Sequence, residues 1–534
     1  MPIHSRRSAA VFGSITALTT AAAAFTFGAS DVRTPTPTPT PTPTELCSPG
    51  VDIAAVVLRD PDFVHVHART DSIFKASVAQ ATDALRADRY HQIALLGKLL
   101  LYDRKLSVNG DVACVTCHTD ETGYTGGVEL INRTIVAYPS SAGPATGARK
   151  PQSYGYAAFA PVLHYRAKQK DFAGGNFWDM RATGTRLGNA AAEQAQGPPL
   201  DPNEMALPDP ACAVYRISRG PYRALFETVW GPQSFAVKWP ADVERVCARP
   251  GPPPANDPHP VHLDSTDRGI VASSYDFMAL AMASYEASPE VSPFSSRFDS
   301  ALAHPDQNIL TDDELAGWAL FRGKAKCNTC HLDGTSNAAK DMRITTRDAA
   351  DGGPLFTDFT AVNIGVPKNR ALRYYCENTP NAAGFAPNPE GVAHIDRGVG
   401  GFLRSSADPN QEWAKVASQF DGAVRVPTLR NVDMRPRPTF VKAYAHNGYL
   451  KSLKEVVHFY NTRDVLPRCN GDDDPREKTG CWPAPEVAAN VDSTIGKIGL
   501  TDREEDQIVA FLRTLTDAPP VPLRITPRAT PRKP

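Results

Sequence analysis

The sequence contains two copies of the pattern Cys-x-x-Cys-His, one at Cys114–His118 and one at Cys327–His331. On a helical turn, residues i, i+3 and i+4 lie on one face, so each copy presents two thiols and an imidazole together. This arrangement suits a haem, because each thiol can form a thioether with one vinyl group while the histidine binds the iron. We therefore predict two covalently bound c-type haems. The predicted attachment residues are Cys114, Cys117, His118, Cys327, Cys330 and His331.

A zinc or redox Cys-x-x-Cys site is the alternative interpretation of the two motifs. A structural zinc site needs further ligands at suitable spacing along the chain. A histidine directly follows the second cysteine in both copies, at His118 and His331. This repeated histidine favours haem, with His118 and His331 as the proximal iron ligands.

The N-terminus has the pattern of a secretory signal. Arg6 and Arg7 precede an apolar run over residues 9–27, which ends in small residues at 28–30. We expect a signal peptide over residues 1–30 and a Thr/Pro-rich linker over residues 31–50. Because covalent haem is normally attached after export, the expected location is the periplasm. The alternative is an uncleaved anchor, the one case in which we expect contact with a membrane.

Six cysteines remain outside the two motifs. An even number of cysteines in an exported protein predicts disulfides, and free buried thiols are the alternative. Cys469 and Cys481 close a short polar loop, which makes this pair the best supported. The other predicted pairs are Cys212 with Cys247 and, by elimination, Cys47 with Cys376.

Helical periodicity is the main pattern in the rest of the sequence. We expect helices over residues 72–101 and about 269–285, and capping boxes that begin at Thr311 and Thr501 open two more. No strand pattern stands out, so the predicted fold is mainly α, with long ordered loops that the 48 prolines indicate. The formal net charge of −1 does not indicate a nucleic-acid partner.

A weak internal repeat precedes the two motifs. The segment LLGKLLLYDRKLSVNGDVACVTCH compares with LAGWALFRGKAKCNTCH, and both place an amphipathic helix and a short loop before the motif. We therefore predict two cytochrome c-like haem domains. Their predicted boundaries are 51–294 and 295–520, followed by a flexible tail over 521–534.

Five segments resemble those of the bacterial dihaem cytochrome c peroxidase family, most closely its MauG-like branch. The segments are LGKLLLYDRKLSVNGDVACVTCH, FWDMRA, AEQAQGPPLDPNEM, VRVPTLRNVD and AYAHNGYLKSLKEVVHFYN. The resemblance extends from about residue 75 to residue 518, with insertions. It implies two cytochrome c-like domains with a haem on each side of their interface, the N-terminal haem being the peroxide site.

The resemblance also implies three functional residues around the haems. Gln194 and Glu204 have the ten-residue spacing of the family's peroxide pocket, and Trp178 in FWDMRA matches a tryptophan between the haems. A carboxylate there can move a proton between the peroxide oxygens, and an amide can orient the ligand. An indole between the haems can relay electrons. Without the resemblance, we would interpret Glu204 as a solvated loop residue and Trp178 as a core residue.

The far side of the second haem departs from the pattern of many family members, which carry a methionine there. Fourteen residues after His446 the chain has Tyr460, as in the MauG-like branch. Ser452 and Glu455 predict a capping box, and Tyr460 continues an apolar stripe from which His458 points away. The resemblance therefore implies that Tyr460 is the second iron ligand of this haem. The other residues of this apolar stripe are Leu453, Val456 and Val457.

Two further departures concern the first haem and calcium. No histidine occurs between His118 and His164, so we expect the first haem to be open to peroxide, with His164 as the alternative ligand. The family's calcium site uses an asparagine in an Arg-Asn-x-Pro segment. The nearest match is Arg149–Pro151, which lacks the asparagine and leaves calcium binding open.

We predict an enzyme that reduces hydrogen peroxide to water with electrons from a small periplasmic protein, a cytochrome c or a cupredoxin. A MauG-like alternative is the peroxide-dependent oxidation of side chains in a partner protein. A further alternative is a dihaem electron-transfer protein without enzymatic activity. A long-lived oxidised state after peroxide addition would distinguish the first two, and a high-spin ferric first haem would exclude the third.

Overall fold

The computed structural model describes residues 53–334, 353–380, 384–405, 410–471, 474–523 and 525. These residues are mainly helical, which confirms the predicted fold class. The α-helices are α1 Ile53–Leu58, α2 Pro61–Ala84, α3 Arg89–Tyr102, α4 Cys114–Cys117, α5 Glu129–Arg133, α6 Ala190–Ala195, α7 Pro210–Ser218, α8 Arg223–Trp230, α9 Val243–Cys247, α10 Ser265–Glu286, α11 Arg297–Ala303, α12 Asp312–Arg322, α13 Gly398–Leu403, α14 Leu453–Thr462 and α15 Asp502–Arg513.

The prediction of one helix over residues 72–101 is wrong. The segment forms two helices, since α2 ends at Ala84 and α3 begins at Arg89. Asp88 caps α3 by accepting a hydrogen bond from the His91 amide at 3.1 Å. The Gln92 side chain donates to the Ala84 carbonyl at 3.1 Å and so satisfies the end of α2. The capping boxes at Thr311 and Thr501 are confirmed.

Two short antiparallel pairs of strands correct the expectation of no strands. Strand β1, His164–Arg166, pairs with β2, Asp171–Ala173, and β3, Ala361–Val362, pairs with β4, Val424–Arg425. Segments of two or three residues are too short to show the alternation by which strands are recognised in a sequence.

The two largest hydrophobic cores of the described residues follow each other along the chain. The larger core contains buried residues between Ala81 and Val291, and the second contains residues between Phe298 and Leu515. Their positions fall on either side of the predicted boundary at 294/295, which itself stays a prediction. Each core includes the helix that precedes a Cys-x-x-Cys-His motif, α3 or α12.

In both cores, two helices cross in close contact at a glycine. A Cβ atom on Gly97 of α3 would lie 1.9 Å from the Ala281 carbonyl oxygen of α10. A Cβ atom on Gly317 of α12 would lie 1.9 Å from the Gln507 carbonyl oxygen of α15. Only glycine permits helices to approach this closely, so the internal repeat corresponds to a repeated helix pair.

Two of the predicted disulfides are present, Cys212–Cys247 and Cys469–Cys481. The third predicted pair includes Cys47, which lies outside the described residues, as do the predicted signal peptide and linker. Of the predicted tail, residues 521–523 and 525 are described, and the Leu523 amide donates to Glu290 Oε2 at 2.8 Å. Among the described helices, none is both long and apolar enough to span a bilayer.

Candidate active site

The first motif forms one helical turn, α4, with the histidine directly after it. Cys114 and Cys117 are not disulfide-bonded, and burial raises the pKa of the Cys114 thiol to about 12. His118 Nδ1 lies 3.0 Å from the Tyr124 carbonyl oxygen. Because only a protonated Nδ1 can donate to this carbonyl, the contact leaves Nε2 without a proton and available to a metal.

A cavity of about 640 Å³ adjoins His118 and Cys117. Gln194 and Glu204, the two residues predicted for peroxide chemistry, both line this cavity, as does Trp178. Neither the Gln194 amide nor the Glu204 carboxyl hydrogen-bonds to another side chain or to backbone in the described part of the chain. The structure therefore brings the predicted residues together and leaves their polar groups free to meet a ligand.

Local structure fixes the position of each of these two side chains. Gln194 lies in α6, which Asn189 caps by accepting from the Ala192 amide at 3.0 Å. Glu204 lies in the loop that follows, where its carbonyl oxygen accepts from the Ser141 amide at 2.8 Å. This main-chain bond fixes the backbone at Glu204, whose side chain lines the cavity.

The Glu204 side chain is half-buried in the wall of the cavity. This burial, together with the negative charge of Asp201, raises its pKa to about 8, although Arg181 acts in the opposite direction. Glu204 therefore carries a proton at neutral pH. A solvated loop carboxylate, the interpretation without the family resemblance, would not.

Among the carboxyl groups that line this cavity, a second one with a raised pKa, that of Glu286, was not predicted. Glu286 is the last residue of α10, is 2% exposed and lines the same cavity as Glu204. Burial raises its pKa well above the usual range. The sequence indicates the burial of Glu286 only through its spacing. Met278, Met282 and Glu286 follow one another at intervals of four residues, on the buried face of α10.

Trp178 lies where the first cavity meets the second half of the chain. It lines the first cavity, a second cavity of about 200 Å³ beside Cys327 and His331, and a small one of about 100 Å³. Its Nε1 donates to the Lys150 carbonyl oxygen at 3.0 Å. Its ring centroid is 6.5 Å from that of His446.

The second motif repeats the arrangement of the first. Cys327 and Cys330 are free of disulfides, and His331 Nδ1 lies 3.0 Å from the Phe356 carbonyl oxygen. Tyr460 lines the second cavity together with these residues. Burial raises the pKa of the Tyr460 phenol well above its usual value, so the hydroxyl keeps its proton unless a metal ion displaces it.

Comparison with known proteins decides the family. A family model for di-haem cytochrome c peroxidase matches residues 91–307. The chain is 30% identical over 441 residues to the methylamine utilization protein MauG of Paracoccus denitrificans, covering 82% of this chain and 92% of that protein. This chain belongs to the di-haem cytochrome c peroxidase family.

Other relatives agree with that membership. Cytochrome c551 peroxidase of Nitrosomonas europaea is 26% identical over 239 residues, 45% of this chain and 51% of that protein. The structure of the diheme peroxidase BthA from Burkholderia thailandensis is similar, with a TM-score of 0.53 and 27% identity over 80% of this chain and 86% of that one. The protein is therefore an oxidoreductase of a peroxidase family, and membership implies two haems.

Both cavities fit the haems of a di-haem peroxidase. Each adjoins a motif with two cysteines free of disulfides and an imidazole whose Nδ1 is held by a carbonyl oxygen, and each offers open space beside that imidazole. The second cavity has mostly apolar walls, as the porphyrin face requires. The apolar residues on its walls include Phe321, Val362, Ile364, Val366, Leu450, Leu453, Val457, Ile498 and Leu512.

Helix α14 places Tyr460 and His458 as predicted, but the predicted capping box is incomplete. Ser452 caps the helix by accepting from the Glu455 amide at 3.1 Å, whereas the Glu455 carboxylate accepts from the Lys451 amide and not from Ser452. His458 points away from the second cavity, and its side chain is half-buried. It lies 3.1 Å from Glu505 of α15 and does not line the second cavity.

Two histidines outside the motifs, His164 and His394, bear on whether the first haem has a second protein ligand. His164, the alternative ligand, is on β1, is exposed and does not line this cavity; its Nδ1 lies 2.8 Å from the Val162 carbonyl oxygen. His394, which was not predicted, does line it. Its Nδ1 lies 2.8 Å from Glu390, and its ring packs against Tyr374 at 5.3 Å, so it stays near those groups.

The segment Arg149–Pro151 does not fit calcium. Lys150 Nζ donates to Thr125 Oγ1 at 2.9 Å and to the Pro151 carbonyl oxygen at 3.0 Å. Nearby, Lys442 Nζ donates to the Thr122 carbonyl oxygen at 2.8 Å. The two lysine side chains thus use oxygen atoms of this segment and its neighbours as acceptors, which leaves fewer oxygens for a calcium ion.

Proposed function

We propose that this protein is a periplasmic peroxidase that reduces hydrogen peroxide to water with electrons from a small redox protein such as a cytochrome c or a cupredoxin. The observation that carries the proposal is the convergence of Gln194, Glu204 and His118 on one cavity. Two disulfides, Cys212–Cys247 and Cys469–Cys481, support an oxidising compartment.

In this proposal each haem is attached through thioethers to its motif. The residues that would hold the haems are Cys114, Cys117 and His118 for the first, and Cys327, Cys330, His331 and Tyr460 for the second. When bound, haem iron supplies the position at which peroxide is held and the electrons that reduce it.

Glu204 supplies the proton chemistry of the first cavity. At neutral pH its carboxyl holds a proton, because its pKa is raised to about 8. It can give this proton to the departing oxygen of hydrogen peroxide and then regain one from solvent. The balance is two electrons and two protons taken up, one O–O bond broken and two water molecules released.

Gln194 and Trp178 have different tasks in the proposal. The Gln194 amide has an uncommitted donor and acceptor, so it can orient peroxide next to Glu204. Trp178 lines both cavities, and its Nε1 bond to Lys150 fixes the ring between them. The indole therefore offers a path for electrons from the second site to the first.

Activity measurements on a Glu204→Gln variant test the proposal. We expect kcat/KM for the peroxide-dependent oxidation of reduced cytochrome c to fall by about 10²–10⁴-fold, since the amide cannot release a proton. Glu227→Gln is the matched control, because Glu227 pairs with Arg223 on the protein surface, outside the cavities. Unchanged turnover in Glu204→Gln, with both haems attached, would count against the site assignment.

Tyr460 supports a second candidate, the MauG-like oxidation of side chains in a partner protein. A phenolate ligand favours ferric and more oxidised iron, which would let the second haem share oxidising equivalents. Adding peroxide without an electron donor distinguishes the two functions. A long-lived oxidised spectrum of both haems favours the MauG-like function, and a rapid return to the ferric spectrum with efficient cytochrome turnover contradicts it.

A further inference from the structure

Arg425 is a buried arginine whose charged group has no hydrogen-bond acceptor among the described residues. It is 3% exposed, and its Nε is buried without a partner. The guanidinium lies over the Phe359 ring at 5.1 Å. The main-chain position is well fixed, because Arg425 pairs with Ala361 across β3 and β4 and its amide donates to the Trp178 carbonyl oxygen at 2.8 Å.

Two other arginines near this site, Arg430 and the half-buried Arg149, are paired. Arg430 makes two hydrogen bonds to Asp299, at 2.7 and 2.8 Å, and Arg149 binds both Asp179 and Asp396. The nearest acidic influence on Arg425 is Asp358, whose Oδ1 instead accepts from the Thr360 amide and hydroxyl. Burial lowers the pKa of Arg425 to about 10, so the group is still charged at neutral pH.

A buried charge without an acceptor is costly to the fold, so its retention needs a reason. Arg425 lines the second cavity and the small cavity that it shares with Trp178. The next residues along the chain, Val426 and Pro427, also line the second cavity. Arg425 therefore belongs to the wall of the space beside His331, and its Nε has no partner among the described residues.

We propose that Arg425 binds a carboxylate side chain of the haem in the second cavity and holds that edge of the haem next to Trp178. A porphyrin of this type carries two propionates, and the planar guanidinium matches a carboxylate with two parallel hydrogen bonds. The inference rests on the proposed function, because it requires haem attached at Cys327 and Cys330. Arg425 is a positioning residue, since its amide is bonded directly to the residue that relays electrons.

Arg425→Gln and Arg425→Lys, made in the haem-loaded full chain, test the proposal. Three measurements are needed: haem count per chain, resonance Raman spectra of the propionate modes, and the reduction potential of each haem. For Arg425→Gln we expect two haems, a changed propionate mode and a lower potential at the second haem only, because a nearby positive charge is lost. For Arg425→Lys we expect a potential closer to wild type but still a changed mode, since an ammonium cannot make paired bonds.

Arg404→Gln is the matched control, because Arg404 pairs with Asp421 in the same half of the chain and lines none of these cavities. Unchanged propionate modes in both Arg425 variants, with both haems attached, would overturn the inference and leave the proposed function standing. Should Arg425→Gln fail to fold, the Arg425→Lys spectrum decides alone. A wild-type protein without haem at Cys327 and Cys330 would overturn the proposed function, and this inference with it.

Discussion

The two halves of the chain share a scaffold but differ in what surrounds their histidines. In both halves a glycine-mediated helix crossing precedes a Cys-x-x-Cys-His motif, and a carbonyl oxygen holds the histidine Nδ1. The first cavity, however, contains two carboxyl groups with raised pKa values, Glu204 and Glu286. The second cavity contains Tyr460 against mostly aliphatic walls.

The difference arises outside the repeated elements. Gln194 and Glu204 lie in α6 and the loop after it, whereas Tyr460 lies in α14, a ten-residue helix packed on α15. The scaffold therefore sets where a haem can be attached, and the added segments set what meets its other face. Under the proposed function, the first half would handle protons and a small ligand, and the second would close off the far side of its haem.

Two single variants, Gly97→Ala and Gly317→Ala, give the strongest test of the shared scaffold. Each new methyl group would lie 1.9 Å from a backbone carbonyl oxygen of the partner helix, which must move away. We expect each change to lower the free energy of unfolding by about 3 kcal/mol or to prevent folding. Urea denaturation followed by circular dichroism measures the loss.

Gly269→Ala provides the control for that pair. Gly269 lies in α10, the helix that Gly97 contacts, and a Cβ there meets nothing within 4 Å. We expect it to raise the free energy of unfolding by about 1 kcal/mol, because alanine favours helix more than glycine. If one of the two crossing glycines tolerates alanine as Gly269 does, the two helix pairs are not equivalent.

Replacing Tyr460 tests the difference between the cavities. We expect Tyr460→Met to raise the reduction potential of the second haem by a sizeable part of the about 0.8 V that axial ligands span, because a thioether favours ferrous iron. Redox titration with EPR assignment of each haem measures the shift. Tyr444→Phe is the control, since Tyr444 lines the same cavity and its hydroxyl contacts the Val432 carbonyl oxygen. An unaltered EPR signal in Tyr460→Phe would show that Tyr460 is no ligand.

Features encoded in a few consecutive residues were predictable from the sequence. The two motifs, the capping boxes at Thr311 and Thr501 and the short-loop disulfide Cys469–Cys481 depend on local spacing alone. The break between α2 and α3 was missed although Asp88 marks it, because apolar periodicity continues across residues 85–88.

Features that require distant segments to meet were not predictable in the same way. Nothing near Glu204 in the sequence indicates its burial, which depends on a main-chain bond to Ser141 and on cavity walls from both halves. Arg425 is a single polar residue between two valines and has no periodicity, and Glu286 has only its position on the buried face of α10 as a signal. Their importance becomes visible only once the cavities are defined.

The smallest expected effect concerns the pH dependence of the first cavity. The pKa of Glu204 in the folded protein, about 8, lies above its usual value, so the proton-donating form is present below pH 8 and is lost as the pH rises through it. We expect peroxide turnover to be level from about pH 6 to 7 and to fall towards tenfold per pH unit above pH 8. Initial rates measured across this range, with the haem spectra monitored for denaturation, give the profile.

A variant in the second half of the chain serves as the control for this pH profile of turnover. The free energy of unfolding should also fall as the pH rises, but over the window from about 4.5 to 8, because there the folded protein keeps a proton that the unfolded chain has released. Tyr460→Phe should leave the alkaline limb of the profile in place, since the limb belongs to the first cavity. A profile that stays level up to pH 9.5 in wild type would mean that the Glu204 proton is not used in turnover.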